Sequence, residues 1–374
     1  MRSRSRNDES VRPVPTSEQS RTPSPLRAVI GTCAVLVLIG VTSVSIYGHR
    51  REAALDYIRS SSGEFHTIVP TWWPDAVPFP AWLGEIDVAA VYGSPCDLRR
   101  LKPLGELRSL VCAGCEMDRA GFQQVGSFRR LTLLNLDRTT ISDDDLMSLR
   151  DCQRLTQLNV AWTAVTDQGL ESLATLRIVE LNLSGTTVSD AGLAHLAGMP
   201  LRALHLNDTA VSDEGFPHLG QLRLKTLAVE RTDITGAGLR HFAGLPLEEL
   251  SLAGASVTDA GLADLASLAS LRDLDLADTQ ITDKGLEHLT TLPITSLSLA
   301  QTAVTDAGLQ TLKRLPLKTL TLSGARLSRE ALATLREMKT LHSLTLSGPP
   351  FTEDDVDVLR HLGVTVAFET REGE

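Results

Sequence analysis

The chain has 374 residues, of which 42% are hydrophobic and 22% are charged, so it can bury a large core and is not disordered throughout. Its formal net charge of -10 argues against nonspecific nucleic-acid binding, because that function needs a basic surface. Of the 62 leucines, 56 follow residue 100. A core built largely from one side chain indicates a short unit that is used many times.

The first 85 residues are predicted to form a tail, an anchor and a connector. Residues 1–27 are rich in Arg, Ser and Pro and have no apolar periodicity, which predicts a disordered basic tail. Residues 28–47 are 20 positions without a charge, and a helix of that length spans about 30 Å, the thickness of the bilayer core. We expect a transmembrane helix there, with a cleaved signal peptide or a buried core helix as the alternatives. Residues 48–85 are expected to form a juxtamembrane connector.

The arginines of the tail indicate the orientation of this anchor. The tail carries six arginines against three acidic residues. A short basic tail before a first anchor usually stays in the cytoplasm. We therefore expect a single-pass membrane protein whose large C-terminal part lies outside the cytoplasm.

From residue 107 one unit recurs eleven times at spacings of 23 or 24 residues, and a final strand follows at 364–368. We call the units repeats 1–11 and number positions within each from its first residue. The repeats begin at Leu107, Leu131, Leu155, Ile178, Leu201, Leu224, Leu247, Leu271, Ile294, Leu317 and Leu341. Residues 86–106 are expected to cap the first leucine layer, with a degenerate strand at 86–91, and residues 369–374 to form a short tail.

The pattern within a unit predicts a strand, a turn and a helix. In repeat 8, L-x-x-L-x-L at 271–276 alternates with period two, as a strand does. Thr279 at position 9 can pair buried backbone groups of the turn with its hydroxyl. Thr282 and Asp283 are suited to begin a helix, and leucines at 286, 289 and 292 form its inward stripe. Stacking such units gives a continuous core.

The helix start has a recurring form. V-T-D-A-G-L stands at 257–262 and 304–309, and close variants stand at 165–170, 188–193 and 281–286. With these motifs the chain resembles the leucine-rich repeat family, in particular its cysteine-containing, F-box-associated type and the membrane-anchored bacterial form. The resemblance implies an α/β solenoid, a horseshoe with a parallel concave sheet and convex helices. Position 9 is Thr in seven repeats and Cys only at Cys115, and no F-box-like segment precedes the repeats, so a ubiquitin-ligase adaptor role does not carry over.

In this family the concave face usually binds a protein or peptide, and positions 3, 5, 7 and 8 are expected on it. The candidate partner-binding residues are Trp162, Glu180, His205, Asn207, Glu230, Arg231, Glu249, Asp273, Asp275 and Asp278. Their acidic character predicts a basic or polar partner, and an exposed Trp favours a binding hot spot. The alternative is a polar sheet that is merely solvated.

Two further groups have structural and functional interpretations. Cys112 and Cys115 are expected in the core, with a disulfide that ties the cap through Cys96, or a metal site, as alternatives. His195, His218, His241 and His288 share position 18. Neighbouring helices lie roughly 10 Å apart, too far for one metal ion to bridge, so solvated histidines are expected.

No catalytic or nucleotide-binding motif is present, so neither an enzyme nor a cofactor is expected. The sequence predicts a membrane-anchored leucine-rich-repeat protein that mediates protein–protein interaction through its concave face. The alternatives are a structural spacer in the cell envelope and a cytoplasmic scaffold of the opposite topology. No nucleic-acid partner is expected.

Overall fold

A computed structural model describes residues 88–91, 96–102, 105, 107–347 and 350–369. The tail, the transmembrane helix and the connector predicted for residues 1–85 lie outside the described residues, as do parts of the cap and residues 370–374. None of the described helices is both long and apolar enough to cross a bilayer.

The described residues form one parallel sheet of thirteen strands in sequence order, with each strand bonded to the next. The strands of repeats 1–10 have only three residues, at positions 3–5, and the strand of repeat 11 has five. The strands are β1 Val88–Ala90, β2 Ser109–Val111, β3 Leu133–Asn135, β4 Gln157–Asn159, β5 Glu180–Asn182, β6 Ala203–His205, β7 Thr226–Ala228, β8 Glu249–Ser251, β9 Asp273–Asp275, β10 Ser296–Ser298, β11 Thr319–Thr321, β12 Ser343–Ser347 and β13 Thr365–Glu369. Glu369 thus ends the last strand rather than beginning the predicted tail.

Short helices cover the other side of the described repeats. The α-helices are α1 Arg119–Val125, α2 Asp143–Leu146, α3 Asp167–Leu173, α4 Asp190–Leu193, α5 Phe216–Leu219, α6 Asp283–Leu286, α7 Asp306–Leu312, α8 Ala331–Glu337 and α9 Glu353–His361. Segments of 3-10 helix lie at Leu98–Leu101, Met147–Asp151, Ala194–Leu196, Asp213–Gly215, Leu239–Phe242, Asp259–Ser267 and Glu287–Leu289. The predicted convex helices are therefore present, but none of those described is longer than nine residues.

The core is a single apolar cluster that runs from Ala89 to Val366. In repeat 8 the strand leucine Leu274 and the helical Leu286 and Leu289 are fully buried, as their spacing predicts. Because each repeat supplies the same stripe, every leucine layer is covered by the next one.

The threonines at position 9 hold the turn that follows each strand. All seven are buried, and each hydroxyl donates to the carbonyl of position 6 in its own repeat at 2.6–2.7 Å. The predicted role of this hydroxyl is confirmed. Where Ala255 or Ala325 replaces the threonine, the backbone N–H of that residue still donates to the position-6 carbonyl at 3.1 Å.

The aspartate at position 13 joins neighbouring repeats. The carboxylate of Asp167 accepts hydrogen bonds from the N–H and the hydroxyl of Ser189, at position 12 of the following repeat, at 2.7 and 2.6 Å. We call this paired contact a clasp. The seven clasps are Asp143–Thr166, Asp167–Ser189, Asp190–Ser212, Asp213–Thr235, Asp259–Thr282, Asp283–Thr305 and Asp306–Ser328. The sequence predicts these aspartates only as favourable charges at a helix start.

The clasp explains the glycine of the T-D-x-G-L motif. Gly192, at position 15, lies against the carboxylate of Asp167, and a Cβ on Gly192 would overlap it. Gly169, Gly215, Gly285 and Gly308 meet the preceding repeat's aspartate in the same way. The glycine therefore leaves space for the side chain that fastens one repeat to the next.

Candidate binding surface

The inner face of the sheet presents two columns of side chains, at positions 3 and 5. Neighbouring strands are in register, so that Glu249 stands beside Asp273 and Ser251 beside Asp275. Adjacent strands lie roughly 4.8 Å apart, which brings each side chain within reach of the same position in the next repeat. The character of these columns changes along the solenoid, from amides through carboxylates to hydroxyls.

The amide part is a shallow open groove of ≈ 210 Å³. Asn135, Asn159 and Asn182 lie along it, with Glu180 and His205 at one end. Each asparagine accepts, through Oδ1, the N–H of the residue two positions further on, at 2.9–3.0 Å. That bond fixes the side chain and directs its Nδ2 donors away from the turn, so the groove offers a row of aligned amide donors.

The carboxylate part centres on β8 and β9. Glu249, Asp273 and Asp275 stand on these neighbouring strands. Although Asp273 is exposed, its place on the inner curve removes part of its hydration, and this burial raises the pKa of its carboxyl. The charges of Glu249 and Asp275 raise this pKa further, against a hydrogen bond from Ser296. The three carboxylates thus repel one another, and a cation bound beside them would reduce this repulsion.

His205 lies between the amide and carboxylate parts. Burial lowers the pKa of this half-buried imidazole, while the carboxylates of Glu180, Glu230 and Glu249 act in the opposite direction. The neutral ring is therefore favoured near neutral pH. His205 adds no positive charge that would offset the acidic residues around it.

Several of the carboxylates are held in place by neighbouring repeats. Gln157 donates to Glu180 at 2.8 Å, Thr226 donates to Glu249 at 3.1 Å, and Ser251 donates to Glu230 at 2.9 Å. These bonds leave lone pairs on each carboxylate for another donor.

Position 8 lies beyond the strand, in a turn with left-handed backbone. Its φ is between 50° and 57° at Arg138, Trp162, Asp208, Arg231, Asp278 and Gln301, and glycine holds the other described examples, 114, 185, 254 and 324. The side chain lies along the solenoid, over the next repeat. A Cβ on Gly185, for example, would overlap the ring of Trp162. The position-8 residues therefore form a ridge beside the concave face rather than part of the sheet, which period-two alternation does not predict.

The ridge contains two pairs that involve predicted site residues. The guanidinium of Arg138 lies 5.9 Å from the centroid of the Trp162 ring, and Trp162 is 47% exposed. Arg231 binds both carboxylate oxygens of Asp208 at 2.7 Å, and this hydrogen bonding lowers the pKa of Asp208. Arg231 also lies 3.5 Å from Glu230, so its charge is divided between Asp208 and this carboxylate.

The structure thus places nine of the ten predicted site residues in two groups and Asn207 apart from them. Glu180, His205, Glu249, Asp273 and Asp275 lie on the strands, and Glu230 follows β7 and points toward β8 through its bond with Ser251. Trp162, Arg231 and Asp278 belong to the ridge. Asn207, at position 7, uses its Oδ1 to accept the N–H of Glu230 at 3.0 Å. The sequence interpretation missed Asn135 and Asn159, although both hold position 5.

The predicted cysteine and histidine groups lie away from this face. Cys96, Cys112, Cys115 and Cys152 are buried thiols. Contact with Cys96 and burial raise the pKa of the Cys112 thiol, and burial raises the pKa of Cys152 to about 11. His195, His218 and His241 are half-buried and His288 is exposed. Buried thiols with raised pKa values are poor nucleophiles, in keeping with a packing role.

Comparisons with known proteins agree with this architecture. A family model for the leucine-rich repeat matches residues 151–174 and 267–290, which run from repeat 2 into repeat 3 and from repeat 7 into repeat 8. These two segments of the chain therefore match leucine-rich repeats.

Two internalins of Listeria monocytogenes are among the solved structures that align with the chain. Internalin inlF aligns with a TM-score of 0.54 and 19% identity, over 77% of this chain and 91% of the internalin. Internalin C2 aligns with a TM-score of 0.41 and 25% identity, over 54% of this chain and 83% of the internalin. No curated protein sequence matches the chain. The likeness to inlF shows a shared fold.

Proposed function

We propose that the chain is a membrane-anchored binding protein whose concave face captures a basic or polar protein or peptide. The observation that carries the proposal is the placement of Glu249, Asp273 and Asp275 side by side on the open face of β8 and β9. Like charges directly opposite each other destabilise a sheet. A cationic group of a partner would remove that cost, which gives these residues a use in binding.

Residues 28–47 support the anchor, because they are long enough to span a bilayer and carry no charge. The arginines of residues 1–27 support a cytoplasmic tail and an extracytoplasmic repeat domain. Protease added to intact cells is expected to digest the repeat domain and to leave the tail protected. Digestion only after the membrane is opened would contradict this topology.

The repeat type is a further part of the proposal. The motif V-T-D-x-G-L supports the cysteine-containing type, with threonine in place of most cysteines at position 9. The hydrogen bonds from the hydroxyls at position 9 to the carbonyls at position 6 support threonine as a replacement for the cysteine of that type.

The binding proposal is tested with two matched fourfold variants of the full chain. The concave variant changes Glu230, Glu249, Asp273 and Asp275 to Ala. The control changes four exposed acidic residues of the helical side, Glu171, Glu214, Asp264 and Glu287, to Ala. Both lose the same formal charge, so a difference between them reports on the face and not on net charge.

A partner is first crosslinked to the wild-type chain on cells and identified, and its affinity for each variant is then measured. We expect the control to bind like the wild type and the concave variant to lose at least tenfold in affinity, about 1.4 kcal/mol. Equal binding by the concave variant would rule out the acidic surface as the binding site.

A further inference from the structure

The boundary between repeats 6 and 7 is fastened differently from the other repeat boundaries in residues 107–369. Seven of these ten boundaries carry a clasp from Asp at position 13. At two more, position 13 is an arginine that reaches the next repeat: Arg119 lies 3.5 Å from Asp144, and Arg329 lies 2.7 Å from Asp355. At the boundary of repeats 6 and 7 position 13 is Gly236, which has no side chain to offer.

The consequence is visible at the residues that a clasp would join. Thr258, at position 12 of repeat 7, is exposed, and among the described residues neither its N–H nor its hydroxyl has a hydrogen-bond partner. A Cβ on Gly236 would lie 2.8 Å from the Cα of Gly261, so two backbones face each other directly. Contact between repeats at this point consists of glycine against glycine, with no polar fastening.

The helical side of repeat 6 is fastened to repeat 5, where Asp213 accepts from the N–H of Thr235 and of Gly238 at 2.9 and 2.8 Å, but not to repeat 7. Gly236 and Gly244 both have left-handed φ, of 95° and 83°, and they bracket the 3-10 helix Leu239–Phe242. Repeat 7 likewise has a 3-10 helix, Asp259–Ser267, where other repeats have α-helical turns. Glycine has the widest conformational freedom of any residue, so the backbone at Gly236 and Gly244 resists a change of angle less than other residues would.

The sheet side of the same boundary is intact. β7 and β8 are paired in register, and the ladder continues past them, from the N–H of Val229 to Ser251 and from the N–H of Arg231 to Ala253, at 3.0 and 2.8 Å. Repeats 6 and 7 are therefore hydrogen-bonded along the sheet edge, and along the helical edge they are held by apolar packing without a clasp.

We infer that the boundary between repeats 6 and 7 is a hinge at which the solenoid changes its curvature, with the hydrogen-bond ladder between β7 and β8 as its axis. Rotation moves repeats 1–6 relative to repeats 7–11 as two bodies. His205 and Glu230 lie on one side of the axis, and Glu249 and Asp273 lie on the other, so bending changes the spacing across the concave surface. The inference stands on the repeat boundaries alone and holds whatever the concave face binds.

The test compares two spans of equal length by measuring distances between paired spin labels in the full chain. Ala194, Ala263 and Ala333 all hold position 17 of their repeats and are exposed. The span 194–263 crosses three boundaries including the hinge, and the span 263–333 crosses three boundaries that are all clasped. Each alanine is changed to cysteine for labelling, in a Cys33→Ser background, since the four other cysteines are buried.

We expect a broader distance distribution for 194–263 than for 263–333. Equal widths would overturn the hinge. A second variant, Asp259→Ala, removes the clasp at the first boundary of the control span and should broaden the 263–333 distribution, with circular dichroism reporting the fold. If the distribution of this folded variant stays narrow, clasps do not stiffen the solenoid and the inference fails. Thr282→Val, which removes only the hydroxyl of the same clasp, should give a smaller broadening in the same direction.

Discussion

At the scale of single residues, the threonines at position 9 combine two requirements. The side chain must fill a small buried space, and the turn needs a donor for the carbonyl of position 6. Threonine meets both, and the bonds of 2.6–2.7 Å in seven repeats show the same arrangement each time. Alanine at 255 and 325 meets only the first requirement, so those turns depend on the backbone N–H alone.

Thr186→Val tests the contribution of one such hydroxyl. The variant keeps the shape of the side chain but removes the bond to the carbonyl of Leu183, so we expect a loss of about 1 kcal/mol in the free energy of unfolding. Urea denaturation measures it. Thr186→Ser is the control, because it keeps the hydroxyl and should retain most of the bond's contribution. An equal loss in both variants would show that the methyl group, not the hydroxyl, matters.

Asp273 gives a prediction with a definite pH dependence. Its pKa is raised in the folded protein, so its ionised form is disfavoured there, and the destabilisation appears as pH rises through the folded pKa. Asp273→Asn should therefore stabilise the protein at neutral pH, by roughly 0.2–1 kcal/mol for one opposed like-charge pair. The gain should vanish in acid, where the wild-type carboxyl is protonated.

Thermal unfolding measured across this pH range checks the prediction. Asp278→Asn, on the ridge, is the matched control and should show no comparable gain at neutral pH. A destabilised Asp273→Asn protein at neutral pH would mean that the Ser296 contact outweighs the repulsion.

At the scale of elements, the structure links two positions that look independent in one repeat. At six of the seven clasps, position 15 of the next repeat is a glycine that leaves space for the Asp at position 13, and at the seventh, Asp306–Ser328, it is Ala331. Where position 13 is arginine, position 15 of the following repeat is aspartate instead. Asp145 accepts bonds from Ser142 at 3.0 Å, and Asp355 accepts bonds from Thr352 at 2.9–3.1 Å, so each of these helices closes its own first turn.

A double-mutant cycle on Asp167 and Gly192 tests this link. Gly192→Ala places a Cβ where the Asp167 carboxylate lies and should cost about 1–3 kcal/mol. Asp167→Ala leaves the Ser189 N–H without its acceptor and should cost about 1–3 kcal/mol. The double variant should cost less than the sum, because the second alanine then occupies vacated space.

Denaturant unfolding of the four proteins gives the interaction energy. Additive costs would mean that the glycine is present for another reason, such as contact with Leu170, whose Cδ1 would lie 3.1 Å from the same Cβ.

The elements themselves could be predicted from the sequence to a large extent, and the contacts between them could not. Period two at positions 3–6 and the leucine spacing of the helices define strand, turn and helix within one repeat, because those signals are local. The clasp joins residues 22 or 23 apart in the chain, and nothing in a single motif says which neighbour a carboxylate meets. The sequence does not indicate the left-handed turn at position 8, because Trp162 and Arg231 hold a conformation that is typical of glycine.

At the scale of the whole molecule, a solenoid has only nearest-neighbour contacts, so the weakest boundary governs how it bends and where it opens. The concave face was predicted as the binding surface because repetition places positions 3 and 5 in columns. The groove of Asn135, Asn159 and Asn182 depends on how these asparagines bond their own turns, which only the structure shows. The separation of the predicted site residues into a sheet group and a ridge group likewise depends on a feature that only the structure shows, the left-handed backbone at position 8.

The clasp gives each repeat an aspartate on one side and, on the other, the hydroxyl residue and glycine that receive the aspartate of the preceding repeat. Repeats can therefore be exchanged or removed wherever these two sides match. Deleting residues 224–246 would remove repeat 6 and set Asp213 opposite Thr258, with Gly261 leaving room for the carboxylate. The shortened chain would have the same number of clasps as before and would lack the boundary at Gly236. Deleting residues 294–316 would instead leave one clasp fewer and keep the boundary at Gly236. We expect the first deletion to give the higher melting temperature. A gene that gains or loses repeats by recombination is under the same constraint, and the boundary at Gly236 is the one among residues 107–369 where position 13 has no side chain to meet it.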